Sequence, residues 1–302
     1  MLIAGIRKAG TFASLCLLGM SLGACGPSDG GSSEKDNAAG RANVDATTRG
    51  NANDGSNSRG AADAATTRDV ISENMPYAEL GDELVYGYFV APADMFEPLP
   101  AVIMIHEWWG LNDNIRAMAD RLAAEGFIVL AVDLYGGKIA KNSAEARQLM
   151  LSVVEDTELA NDNIRSAFEF VSETAGAPKV GAIGWRFGGT WSLNAAILFA
   201  DELDATVIYY AQVTDDEDKL RPIESPILGL FAAKDISMKV RSVEAFGEAL
   251  ERLRKDHEIH IYPGVSQTFA DPTSEKYDEV AAADAWRRTL EFLDRYLTVD
   301  ES

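Results

Sequence analysis

Apolar residues in this chain follow two rhythms. Continuous apolar runs at 100–105 and 127–132 read as strands buried on both faces, and further strands are expected at 179–183, 205–210, 226–231 and 258–262. Residues 83–92 alternate as a half-exposed strand does. Between the strands the apolar positions fall at helical spacing. Ile115, Met118, Ala119 and Leu122 mark a helix over 112–125 that stops at Gly126. Further helices are expected from Asn142 or Ser143 onward, and at 157–173, 187–199, 240–254 and 274–296. Buried strands alternating with amphipathic helices predict an α/β fold, a doubly wound and mostly parallel sheet in a single domain. Ligand sites in such sheets lie at the carboxyl ends of the strands.

The rhythm begins late in the 302-residue chain. Residues 1–24 have a basic start at Arg7 and Lys8, then an apolar stretch from Phe12 to Leu22 that is short for a membrane span. They read as a secretory signal. It ends in Leu22-Gly-Ala-Cys25, which resembles a bacterial lipobox. The resemblance implies that Cys25 is lipidated and anchors the protein at the cell envelope, with Gly26 resembling the outer-membrane-sorted class. Residues 25–70 are Gly, Ala, Asn, Asp, Ser, Thr and Arg with few large apolar side chains, and read as a disordered tether. The domain is thus expected over 71–302.

Acids and bases before residue 70 cancel, so the rest of the chain carries the whole net charge of −21. That sign argues against nucleic acid as a partner and leaves membrane attachment to the lipid. Cys16 and Cys25 are the two cysteines, so the domain has neither a disulfide nor a thiol nucleophile.

One motif carries the chemistry. The expected strand before residue 184 runs into Gly184-Trp-Arg-Phe-Gly-Gly189 and then into a helix. This is the shape of a nucleophile elbow, Gly-x-nucleophile-x-Gly. The central residue is Arg186, a permanent cation that cannot attack a carbonyl. Two more strand ends offer Asp235, after the run ending at Phe231, and Gln267, in Tyr262-Pro-Gly-Val-Ser-Gln267. Nucleophile, acid and histidine follow in that order in α/β-hydrolases.

With Ile105-His-Glu-Trp-Trp-Gly-Leu-Asn112, Val132-Asp-Leu-Tyr-Gly-Gly137 and Ile208-Tyr-Tyr-Ala211, these stretches make residues 71–302 resemble the dienelactone hydrolase family of α/β-hydrolases. The resemblance implies ester or lactone hydrolysis. It puts Arg186 at the nucleophile, Asp235 at the acid and Gln267 at the histidine. It puts Glu107 where a carboxylate contacts the nucleophile, and the backbone amides of Trp108 and Phe187 at the oxyanion hole. Gln267 could bond Asp235 but is not a base. Two readings of Arg186 stand side by side: an internal ion pair with Glu107 and Asp235 that plugs a dead site, or an anion pocket for a small carboxylate walled by Trp108, Trp109, Trp185 and Tyr135. Accordingly two functions are weighed, a hydrolase impaired at two positions and a non-catalytic binding protein. No cofactor is expected. Metal use is poorly supported, because Arg186 would sit among Glu107, Asp235 and His106. His106 reads as structural, and Ser192 as packed inside the elbow helix.

Overall fold

A computed structural model describes residues 68–298. The expected signal, the lipid site at Cys25 and nearly all of the tether lie outside the described residues. The strands are β1 (Val70–Leu80), β2 (Glu83–Pro92), β3 (Ala101–Ile105), β4 (Ile128–Val132), β5 (Val180–Trp185), β6 (Ala205–Tyr209), β7 (Ile227–Ala232) and β8 (His257–Tyr262). The helices are α1 (Asp113–Ala123), α2 (Ser143–Glu155), α3 (Thr157–Glu169), α4 (Phe187–Phe199), the short α5 (Glu217–Leu220), α6 (Val240–Arg252) and α7 (Glu279–Leu297). One eight-stranded sheet runs in the order β1-β2-β4-β3-β5-β6-β7-β8. The pairs β1–β2 and β2–β4 are antiparallel; all pairs from β4 through β3 to β8 are parallel.

Strands β3 to β7 are buried at every position, and their sequences are apolar but for Thr206 of β6. Alternate residues feed two cores. Ile103, Ile105, Leu130 and Val132 pack with Ile164 of α3, Trp191 of α4 and Phe246 of α6. Val102, Met104 and Val129 pack on the other face with Ile115 and Leu122 of α1 and with Trp286 and Phe292 of α7. Helices therefore cover both faces, and the sheet is doubly wound as expected.

The short helix α5 was not expected, and three further elements depart from the sequence reading. Strand β1 was not expected. Only Tyr77 in it is buried, and Pro76 adjoins a shift in register against β2. Proline is tolerated at such an edge-strand irregularity but erases the strand signal. Helix α3 passes into one π-helical turn, Phe170–Thr174. Helix α7 starts at Glu279, because the Asp278 carboxylate accepts from the Ala281 amide and caps it there. Ser274 instead bonds Thr268 in the preceding loop.

Candidate functional site

The site is assembled at the carboxyl ends of β3, β5, β6, β7 and β8. Strand β5 ends at Trp185, and the next residue, Arg186, turns the chain into α4 with φ 51° and ψ −112°. Two backbone bonds hold this turn: the Arg186 amide donates to Tyr209 O at 3.0 Å, and Arg186 O accepts from the Thr190 amide at 3.0 Å. A non-glycine residue at positive φ is strained, and the surroundings must over-determine it. Here the glycines do so. A Cβ on Gly184 would run into the Gly188 backbone, and one on Gly188 into the carbonyl oxygens of Ile105 and His106. Helix α4 therefore lies against β3 and β5 more closely than any side chain would allow. Phe187 is the first residue of α4, where an amide has no intrahelical acceptor. The Trp108 amide likewise makes no hydrogen bond to protein among the described residues.

The Arg186 side chain is half-buried, with its guanidinium carbon 5.1 Å from the centre of the Trp108 ring. The ion pair expected with Glu107 or Asp235 does not form: among the described residues no carboxylate oxygen lies within 4.0 Å of this guanidinium. The cation rests on an aromatic face instead and is partly exposed.

Glu107 follows β3 and is only 5 % exposed. Burial, reinforced by the nearby charge of Asp271, pushes its carboxyl up to about 7; Arg186 pulls weakly the other way. His106 is fully buried and committed to the backbone. Its Nε2 accepts from the Leu134 amide at 3.1 Å, so Nδ1 carries the proton and donates to Glu107 O at 2.6 Å. Burial holds its pKa low. His106 thus ties the loop after β3 to the loop after β4 and has no free nitrogen for proton transfer. His257 and His260 lie on β8, the latter 3.3 Å from Arg288. Ser192 is buried and donates to Val207 O.

Asp235 follows β7. Its Oδ1 accepts from the Ser237 amide and hydroxyl, both at 2.7 Å, and from the Met238 amide at 3.2 Å. Its Oδ2 is buried with no partner among the described residues. The direct Gln267–Asp235 bond expected from the sequence is absent, and Ser237 stands between them, its Oγ 3.1 Å from Gln267 Oε1. One hydroxyl proton serves one acceptor. With the Gln267 amide turned over, its Nε2 donates to Ser237 Oγ while Ser237 donates to Asp235.

Sequence reasoning missed Ser237, Tyr210 and Asp271. The Asp-x-Ser spacing at 235–237 is a turn signal that could have shown the first. Tyr210, at φ 34°, is 2 % exposed and its hydroxyl has no partner; burial and the charges of Glu107 and Asp271 hold its pKa well above the usual value. Trp108 Nε1 is a second buried donor without a partner.

Arg186 borders two cavities. One, of about 450 Å³, is walled mainly by Trp108, Met150, Val154, Phe187, Trp191 and Tyr210. The other, of about 470 Å³, holds Glu107, Asp271, Gln267, Glu275 and Lys276. Of the four aromatics expected around Arg186, Trp108 lines the first cavity and Trp109 the second. Trp185 packs on Tyr209 in the core, and Tyr135 lies edge-on to His106.

Residues 85–297 match the model of the dienelactone hydrolase family. The chain belongs to the dienelactone hydrolase family. Protein usf of Aquifex pyrophilus is 35% identical over 206 residues, which span 66% of this chain and 89% of that one. A protein of Escherichia coli K12 provisionally named a carboxymethylenebutenolidase is 30% identical over 225 residues, 69% of this chain and 82% of that one. Among solved structures, one provisionally called a dienelactone hydrolase, from Klebsiella pneumoniae, superposes with a TM-score of 0.70 at 25% identity and covers 76% of this chain and 100% of its own. A dienelactone hydrolase-like promiscuous phosphotriesterase, P91, from metagenomic libraries gives 0.70 at 22% identity, covering 76% and 99%, and bears on the fold alone. The dienelactone hydrolase fold and the sheet described above therefore agree.

Proposed function

We propose that this dienelactone hydrolase family member has lost the covalent ester or lactone hydrolysis for which its frame is built, and that its cleft binds a small carboxylate. The observation that carries the reading is Arg186: a cation at the elbow, resting on Trp108, with no carboxylate against it among the described residues. Hydrolysis by this frame needs an attacking atom and a base to take its proton. Arg186 supplies neither, Gln267 has no useful basicity, and both nitrogens of His106 are engaged by backbone. The groups that remain are donors. The guanidinium, the Phe187 amide at the start of α4 and the Trp108 amide suit the two oxygens of a carboxylate.

The test is turnover of p-nitrophenyl acetate and a simple lactone by the full chain, beside the double variant Arg186→Cys/Gln267→His. We expect the native protein to stay within roughly 10³-fold of the uncatalysed rate, the residue left by an oxyanion hole alone, and the double variant to exceed it. Robust native turnover would sink the reading. The signal-like start and lipobox-like end support a cell-envelope protein anchored through Cys25. Metabolic labelling with palmitate that fails to mark the native chain, or marks Cys25→Ser equally, would overturn that placement.

A further inference from the structure

Arg186 stands between two cavities of opposite character, and this decides which way a bound ligand points. We infer that the ligand is a monocarboxylate with an apolar tail, its head on Arg186 and its tail in the cavity bounded by Met150, Val154, Phe187 and Trp191. The inference deepens the carboxylate-binding reading above and rests on it.

The apolar cavity, about 450 Å³, falls in the range of roughly 300–1,000 Å³ that holds small organic ligands. Among the described residues that line it, Arg186 is the one charged side chain; Thr157, Thr190, Asn194, Gln212 and Ser237 are neutral. The Tyr210 hydroxyl and Trp108 Nε1 are buried behind this wall and do not face the cavity, so the guanidinium is its one charged donor. A single cation at the edge of an otherwise uncharged wall, with no carboxylate against it among the described residues, is completed by one anionic head. The mouth of the cavity carries the same message. Val154 on α2 is 54% exposed although it lines the cavity, and Met150 stands one turn before it.

The second cavity excludes the alternative of a dicarboxylate bridging both spaces. Glu107, Asp271 and Glu275 face it, with Lys276 and Arg186 as its cations. A second carboxylate there would meet the carboxyl groups of Glu107, Asp271 and Glu275. An uncharged alcohol of the same length would fill the tail cavity and leave Arg186 without an anion.

Calorimetric titration of the full chain at pH 8 tests this, with acetate, butanoate, hexanoate, octanoate, phenylacetate, suberate and octanol as ligands. Affinity is expected to rise about fourfold for each methylene buried between butanoate and octanoate. Octanol and suberate should bind at least tenfold more weakly than octanoate. Arg186→Gln should abolish carboxylate binding at every length. Val154→Glu, a change at an exposed position that leaves folding intact by circular dichroism, should remove the dependence on chain length. Equal affinity for acetate and octanoate, both lost in Arg186→Gln, would overturn the tail and leave the carboxylate reading standing. Suberate binding as tightly as octanoate would also overturn the tail's direction. Absence of binding by every carboxylate would overturn both.

Discussion

At the scale of single residues the site is a set of charges kept slightly out of reach of one another. Glu107 is the most sensitive of them. Its folded-state pKa of about 7 lies above the ordinary carboxylate value of 4.5, so the folded chain holds a proton there that the unfolded chain has released. Stability from this group is fully present below about pH 4.5 and is lost as pH rises through 7. The full penalty at alkaline pH is on the order of 3 kcal/mol. Glu107→Gln, which keeps shape and removes the charge, should therefore raise the urea midpoint at pH 8, with the gain vanishing below pH 5. An equal effect at both values would mean that Glu107 is solvated in the folded state. The same proton governs the ligand. Glu107, Asp271 and Glu275 face Arg186 across the polar cavity, with Lys276 as the other cation and the Tyr210 hydroxyl nearby. Neutralising Glu107 removes a negative charge beside the bound anion, so octanoate should bind more tightly at pH 6 than at pH 8. Glu107→Gln should flatten that slope, measured by titration calorimetry in matched salt.

Secondary-structure elements set these positions, and the elbow is the clearest case. Its signature was legible in the sequence because two glycines bracket one residue between a buried strand and a helix, and the close approach of α4 to β3 is their physical reason. Gly188→Ala should lower unfolding stability by about 3 kcal/mol or more, since the new methyl meets the Ile105 and His106 carbonyls and neither strand nor helix can retreat without opening the core. A chemical-denaturation midpoint unchanged by that substitution would show the approach to be looser than described. What the sequence did not disclose lies where contacts cross between elements. Asp235 and Gln267 were singled out, but the serine that separates them was not, because a hydrogen bond spanning 30 positions leaves no periodic trace. Tyr210 was hidden among aromatic neighbours, and its unpaired hydroxyl follows only from packing. Strand β1 was hidden for the opposite reason: only one of its positions is buried, so no burial pattern marks it.

For the molecule as a whole, the layered architecture and both cores follow from largely apolar strands and from helices that pack against them. That is why a doubly wound, mostly parallel sheet could be read before any coordinate, while the α/β-hydrolase architecture came from the motifs that resemble the dienelactone hydrolase family. Charge acts at this scale too. The formal net charge is −21, while ion pairs such as Arg287–Asp284 and Arg295–Glu258 lie at the surface. Salt weakens such pairs, each worth about 0–1 kcal/mol, but it also screens the repulsion of the uncompensated acids. The excess of acids makes screening the larger effect. Raising sodium chloride from about 10 mM to about 0.3 M should lift the melting temperature by about 2–4 °C, the equivalent of roughly 1 kcal/mol in a domain of this size. A fall in melting temperature would mean that the surface pairs outweigh the repulsion.

The backbone at Arg186 has a consequence for how long its charge can stay useful. A guanidinium on a slack loop would fold back onto the acids around it and neutralise itself. Here the chain is pinned on both sides of the residue, by Tyr209 and Thr190, and the side chain lies against an indole. In the carboxylate-binding reading proposed above, this turn works as a spacer. It keeps opposite charges apart inside one molecule, like the plates of a capacitor, until something from outside closes the gap.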